Sequence, residues 1–335
     1  MIWFTQGPAS ASAFRRVVLC AALLASATAA ARVAAQTHTP AAGGAASGKH
    51  AGVLPGQKTF TTAQDAIQAF VAAIEHGDDQ AMLGILGPDA QEIVSSGDAV
   101  ADRQEREQFL DKYKQMHRLL TEPDGLTTLY VGAENWPLPI PLARQAGAWY
   151  FDAAGAQQEI LYRRIGHNEL TVIDICGELV AAEKEYDASP HDGAAQKEYA
   201  QKIVSSSGQH DGLYWPAAAS APQSPLGPLI AAAEQAGYSQ GASPRKTPFY
   251  GYYFRILKGQ GANAPGGAES YLAGGAMTRG FAFVAYPAEY RSSGVLTFLV
   301  GPDGVVYQKD LGKNTEAVAG AMKLYDPDPG WQQAN

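Results

Sequence analysis

The order in which hydrophobic periodicity changes along this chain constrains its fold more than any other feature. Apolar residues recur at helical spacing from residue 63 to about 120 and switch to strand-like patterning over 125–152. The same order, helices first and strands after, returns between residue 156 and the end of the chain. Helices followed by strands, twice over, specify an α+β fold. With 335 residues, and roughly 150 residues per domain as a guide, the expectation is two units, each of helices packed on a small antiparallel sheet, over 58–166 and 167–331.

Within the first unit, Thr61 or Thr62 is placed to cap a helix, and Asp65 lies three residues after Thr62 to complete a capping box. Ala63, Ile67, Phe70, Val71 and Ile74 then form its apolar face, and His76-Gly77-Asp78 ends it. A short helix is expected over 79–86. A longer, heavily charged one is expected over 99–120, with Phe109, Tyr113, Met116, Leu119 and Leu120 on its buried side. Strands are expected at 126–132, 138–144 and 148–152, the middle one confined to an edge by Pro137, Pro139 and Pro141.

The second unit is expected to begin where Gly166 breaks a helix that starts near Ala156. A new helix then runs over 168–186, with Val172, Ile173, Cys176, Leu179 and Val180 as its stripe, and a further helix is placed over 193–206. A helix at 226–236 precedes strands at 251–257, 280–286, 295–300 and 305–310. Pro302-Asp303-Gly304 turns the last two into a hairpin, and a closing helix spans 315–324.

Residues 1–35 have the layout of a secretory signal peptide. Arg15 and Arg16 precede the apolar run 17–25, which is too short to span a bilayer, and Val33-Ala34-Ala35 supplies small residues for cleavage. Residues 36–57, rich in Gly, Ala, Pro and Ser, read as a flexible tether. Loss of Arg15, Arg16 and Arg32 with the leader takes the formal charge from −8 to −11. An acidic chain without a basic stripe is a poor partner for nucleic acid or anionic lipid. Of the two cysteines, Cys20 leaves with the leader. Cys176 is then alone in an apolar stripe, so no internal disulfide forms and a buried, inert thiol is expected.

Catalytic motifs are weak throughout. Gly259-Gln-Gly261-Ala-Asn-Ala264 resembles a dinucleotide fingerprint, but Pro265-Gly266-Gly267 replaces the helix that must follow. Ser243-Pro-Arg-Lys246 has the serine–lysine spacing of penicillin-recognising enzymes, but Pro244 and Pro248 make it extended. No two of the seven histidines lie four apart, so no helical metal pair is expected. Asp303, Asp326 and Asp328 are acidic turn residues, read as solvated in preference to calcium-binding.

The densest functional-looking cluster is His210-Asp211-Gly212-Leu213-Tyr214-Trp215, with an acid–base residue, a carboxylate and two large aromatics in a turn. Such a set suits a sugar or peptide, whereas in the structural alternative Tyr214 and Trp215 plug the core and Asp211 forms the turn. His210, Asp211, Tyr214, Trp215 and Arg255 are the candidate ligand-binding residues. No catalytic residue, metal ligand or cofactor is assigned.

The segments HDGLYWP (210–216), SPLGPL (224–229), GYYFRIL (251–257), GQGANAPGGA (259–268), GGAMTRGFAFVAYPAEY (274–290), SGVLTFLV (293–300) and DGVVYQKDLG (303–312) together resemble the domain-of-unknown-function family 2950 over residues 58–331. The resemblance implies an exported protein of a Gram-negative bacterium, periplasmic or secreted, and carries no activity or site residues. The first unit is also similar in architecture to cystatin-like or nuclear-transport-factor-2-like folds, and the second to a pilin or pseudopilin head. Glu169, Asp174, Glu178 and Glu183 mark the helix at 168–186 as amphipathic, unlike a pilin's apolar stalk.

The expected function is therefore a non-catalytic periplasmic binding or assembly module for an unknown protein or cell-envelope ligand, with no membrane span after cleavage. The alternative is a cell-envelope hydrolase using His210 and Asp211 as acid–base residues and Trp215 as a platform.

Overall fold

A computed structural model describes residues 52–217, 223–235, 238 and 248–334. The leader, most of the tether and the Ser243–Lys246 motif lie outside the described residues.

The first helices among the described residues are α1 (Ala63–Glu75) and α2 (Asp79–Leu86), a single turn α3 (Gln91–Val94) and α4 (Ala99–Gln115). Thr62 caps α1 by accepting from the Asp65 N–H at 3.0 Å. The predicted face of α1 is buried, with Ala63 half-buried at its start. Strands β1 (His117–Thr121), β2 (Thr127–Val131), β3 (Trp136–Pro137), β4 (Leu142–Gln145) and β5 (Ala148–Phe151) form an antiparallel sheet in the order β1-β2-β4-β5, with β3 a spur on β2.

Three expectations fail in this region. Helix α4 ends at Gln115 instead of reaching Leu120, because residues 117–121 pair with β2 over all five positions. That ladder outweighs helical propensity, and Leu120 lies 39% exposed. The proline-bounded strand is shorter than read, starts after Pro141 and lies between β2 and β5, not at an edge. Gln57, assigned to the tether, is buried and donates to the carbonyls of Ile85 (3.1 Å) and Phe151 (2.8 Å), so order begins earlier than Phe60.

The largest departure is α5, an unbroken helix of 34 residues from Ala153 to Tyr186, about 50 Å long. Gly166 does not interrupt it. An interior glycine costs only about 1 kcal/mol relative to alanine, and α5 is packed on both sides of that point. Ala153, Ala156 and Ile160 join a first apolar cluster with α1, α2, β2, β4 and β5. Val172, Ile175, Cys176, Leu179, Val180 and Tyr186 join a second with the C-terminal sheet. No helix among the described residues is long and apolar enough to cross a membrane.

Between these clusters α5 carries buried polar residues. Arg164, 1% exposed, donates to the carbonyls of Glu92 (2.7 Å) and Ile93 (3.5 Å). Asn168 donates to the Ser293 carbonyl at 2.8 Å. Asp98 caps α4 with one carboxylate oxygen, and its other oxygen accepts from the Tyr238 hydroxyl (2.7 Å) and the Gly251 N–H (3.2 Å). Gly251 has a φ of 72°, and a Cβ there would lie 2.8 Å from Asn168 Nδ2, so this close approach requires glycine.

After α6 (Gly227–Gln235) come β6 (Tyr252–Leu257), β7 (Gly259–Gln260), β8 (Glu269–Ser270), β9 (Leu272–Ala273), β10 (Ala276–Met277), β11 (Ala282–Pro287), β12 (Leu296–Val300), β13 (Val306–Asp310), α7 (Thr315–Ala321) and β14 (Gln332–Gln333). The main sheet is antiparallel in the order β14-β13-β12-β11-β6. Its β12–β13 hairpin pairs Leu296 with Asp310 and Val300 with Val306, turning through Gly304 at φ 77° as the Pro-Asp-Gly signal predicts. Every residue of β11 is buried, so this strand forms the centre of the second core. The whole is an α+β fold.

Two acidic residues of α5 serve this packing and do not mark a solvated face. Glu169 accepts from the N–H groups of Val295 and Leu296, both at 2.9 Å, and Glu183 is fully buried. Cys176 is buried as expected, and burial pushes its thiol up to about 12.

Candidate functional site

The site is built where α5 ends. Asp187 caps the helix, and the chain reverses through Asp192 and Gly193, both in the left-handed region. The expected helix over 193–206 is absent, because its backbone groups are engaged elsewhere. The Ala200 N–H donates to Glu183 Oε2 at 2.8 Å, and the Tyr199 N–H to the Met277 carbonyl at 2.7 Å. Residues 202–205 then run beside 213–214, with the Leu213 N–H on Lys202 O, Tyr214 N–H on Ile203 O and Ser205 N–H on Tyr214 O. Gly212 permits this approach, since a Cβ there would sit 2.8–2.9 Å from the backbone of Ser205, Lys202 and Val204.

This return leaves an open cleft of about 300 Å³ lined by Tyr186, Glu198, Tyr199, Gln201, Lys202, Asp211 and Lys258. Lys202 Nζ contacts Asp211 Oδ2 at 2.5 Å and Ser206 Oγ at 2.7 Å, and Asp211 Oδ1 accepts from the Ser206 N–H at 2.7 Å. Desolvation works to raise the Asp211 carboxyl, but the hydrogen bonds from Lys202 and Ser206 outweigh it and hold it below the ordinary range. Lys258 Nζ donates to Gln201 Oε1 at 2.9 Å, and Gln201 Nε2 donates to the Gly275 carbonyl.

Both phenols of the wall are shifted up. Burial acts first on Tyr186, followed by the charges of Glu198, Asp192, Asp211 and Glu183. Burial likewise leads at Tyr199, followed by Asp187 and Glu183. Both therefore remain protonated at neutral pH. The Tyr186 hydroxyl donates to the His210 carbonyl at 2.6 Å. Beneath them the Glu183 carboxyl is raised well above its ordinary value, chiefly by burial. One of its oxygens accepts from Ala200, and the other has no hydrogen-bond partner among the described residues.

Of the residues singled out from sequence, only Asp211 lines this cleft. His210 turns away to Asp192, with its N–H 2.5 Å from Oδ2 and its Nδ1 3.0 Å from Oδ1. Its ring lies edge-on to Trp215 with centroids 4.6 Å apart. Trp215 is half-buried and also meets Tyr186 and His191, while His191 stacks on Tyr186 at 4.0 Å. Tyr214 is 8% exposed and belongs to the second core, as the structural alternative held. Arg255 donates to the carbonyls of Ala319 (3.0 Å) and Met322 (2.6 Å), fastening the end of α7. His210 and Asp211, adjacent in sequence, thus have separate partners.

Among the described residues no three His, Cys, Asp or Glu side chains are grouped to hold a metal ion. Asp326 accepts from Asn263, and Asp328 from Lys309 and Gly330. The Gly259–Ala264 segment enters no helix.

Sequence reading missed Tyr186, Glu198, Tyr199, Gln201, Lys202 and Lys258. Pro190 and the His191-Asp192-Gly193 turn were the available signal that 187–206 reverses the chain and does not continue helically.

Residues 57–334 match the family model described as Protein of unknown function (DUF2950). No curated protein and no solved structure matches the chain.

Proposed function

The chain belongs to the DUF2950 family, and we propose that it is a non-catalytic binding module of the Gram-negative cell envelope, periplasmic or secreted, whose ligand occupies the cleft at the C-terminal end of α5. The observation that carries this reading is convergence. Two protonated phenols, two ammonium groups and two carboxylates, from α5 and three separate later segments, face one cleft of about 300 Å³. A concave site with a few directed polar groups is the usual form of a small-ligand site.

Two features favour binding over hydrolysis. Asp211 is kept ionised by Lys202 and Ser206, which deprives it of a proton to donate. His210 is not on the cleft wall. Export is supported by the layout of residues 1–35, and a role in assembly by the pilin-head-like order of helix and strands in the second half.

Thermal-shift measurements on the purified protein with sugars, amino acids and short peptides test the reading. A ligand that raises the Tm of the wild type and has a weaker effect on Lys202→Ala and Tyr199→Ala is expected. Turnover of esters, glycosides or peptides that His210→Ala or Asp211→Asn abolishes would overturn it. Fractionation of cells producing residues 1–57 fused to a reporter tests export, with the reporter expected outside the cytoplasm.

A further inference from the structure

The charges on the cleft wall do not all cancel. Four side chains are formally charged: Glu198, Lys202, Asp211 and Lys258. Lys202 and Asp211 are 2.5 Å apart and neutralise each other. Lys258 spends its hydrogen bond on a neutral amide oxygen, that of Gln201, and has no carboxylate partner among the described residues. Glu198 is half-buried and makes no hydrogen bond or ion pair with any described residue, although its charge acts on the Tyr186 phenol. One cation and one anion are thus left uncompensated in the same cleft.

A ligand bearing a single charge would pair with one of these groups and leave the other partly desolvated and unmatched, which disfavours binding. A neutral sugar would do the same to both. A ligand with one anionic and one cationic end satisfies both at once. The volume is at the small end of the range for ligand pockets, which points to a small molecule. The half-buried ring of Tyr199 offers apolar surface in the same cleft.

Resting on the reading of the cleft as a binding site, we infer that its ligand is a small zwitterion, an amino acid or short peptide with free amino and carboxyl ends. The carboxylate is taken by Lys258 and the ammonium by Glu198.

Calorimetric titration of the whole chain with alanyl-alanine, its N-acetyl form, its amide and the neutral disaccharide maltose tests this. The free dipeptide is expected to bind about tenfold more tightly than either capped form, the loss of one charged hydrogen bond. Lys258→Gln should weaken the free and N-acetyl forms but not the amide. Glu198→Gln should weaken the free and amide forms but not the N-acetyl form. Lys258 is exposed and Glu198 carries no structural contact among the described residues, so both variants should fold as the wild type does.

Capped forms that bind as well as the free dipeptide, or variants with no such selectivity, overturn the inference. Binding of maltose sensitive to Lys202→Ala, without dipeptide binding, overturns the zwitterion and leaves the cleft as a site. Binding of neither overturns both.

Discussion

Helix α5 carries two polar regions that differ in kind. At its middle, Arg164 and Asn168 are buried and donate to carbonyls of neighbouring segments, with Asp98 bridging α4 to Tyr238 and Gly251. At its end, Glu198 and Lys258 line an open cleft while Glu183 is buried in the helix; among the described residues Glu198 has no hydrogen-bond or ion-pair partner, Lys258 has only the Gln201 amide, and one Glu183 oxygen has none. Buried polar groups are retained when the fold supplies most of their hydrogen bonds, as it does for both terminal nitrogens of Arg164, although its Nε has no partner among the described residues. A group left open beside a cleft is available to something else. The middle region thus holds the two cores together, and the end region is the place for a ligand.

Removing the cation of the middle region should have the largest effect. Arg164→Ala strips two carbonyls of their donor and removes the positive charge that acts on the half-buried Glu105 and the buried Asp102. A loss of about 3–5 kcal/mol is expected in chemical denaturation. A loss below about 1 kcal/mol would mean this region is not what joins the cores.

At the other end, Glu183→Gln should change the pH dependence of stability. Its folded-state pKa is raised above the ordinary 4.5, so over the window above 4.5 the unfolded chain releases a proton that the folded chain keeps. Wild-type stability therefore falls as pH rises through that window, by up to about 1.4 kcal/mol per pH unit from this group. The glutamine variant should lack that component, which parallel denaturation series at pH 5 and pH 7 will reveal.

Tyr238→Phe removes one donor from Asp98 while the Gly251 N–H stays. It should cost about 1–2 kcal/mol, read as a lower denaturation midpoint with no change in dipeptide affinity. The smallest effect is expected at Gly166. Nothing lies within 4 Å of a Cβ built there, so Gly166→Ala should stabilise the protein by about 0.5–1 kcal/mol. Destabilisation would show that the helix needs the glycine after all.

The asymmetry between these regions also explains what could be read from sequence. Elements with their own signals were found: the Thr62 cap, the α1 face and the β12–β13 hairpin depend on residues close in the chain. The course of 117–121 and 193–206 depends on partners far away, β2 for one and Glu183, Met277 and Tyr214 for the other. The continuity of α5 depends on packing on both sides of Gly166, which no local pattern carries. For the same reason the cleft was invisible. Its residues come from four separated segments, and the compact cluster at 210–215 divided among the cleft, the aromatic contacts and the core.

Mapping alanyl-alanine onto the isotopically labelled protein by nuclear magnetic resonance tests the division of labour most directly. The account predicts shift changes at Tyr186, Glu198, Tyr199, Lys202 and Lys258 and none at Asp98, Arg164 or Tyr238. Changes centred on the middle of α5, or none at its end, would contradict it.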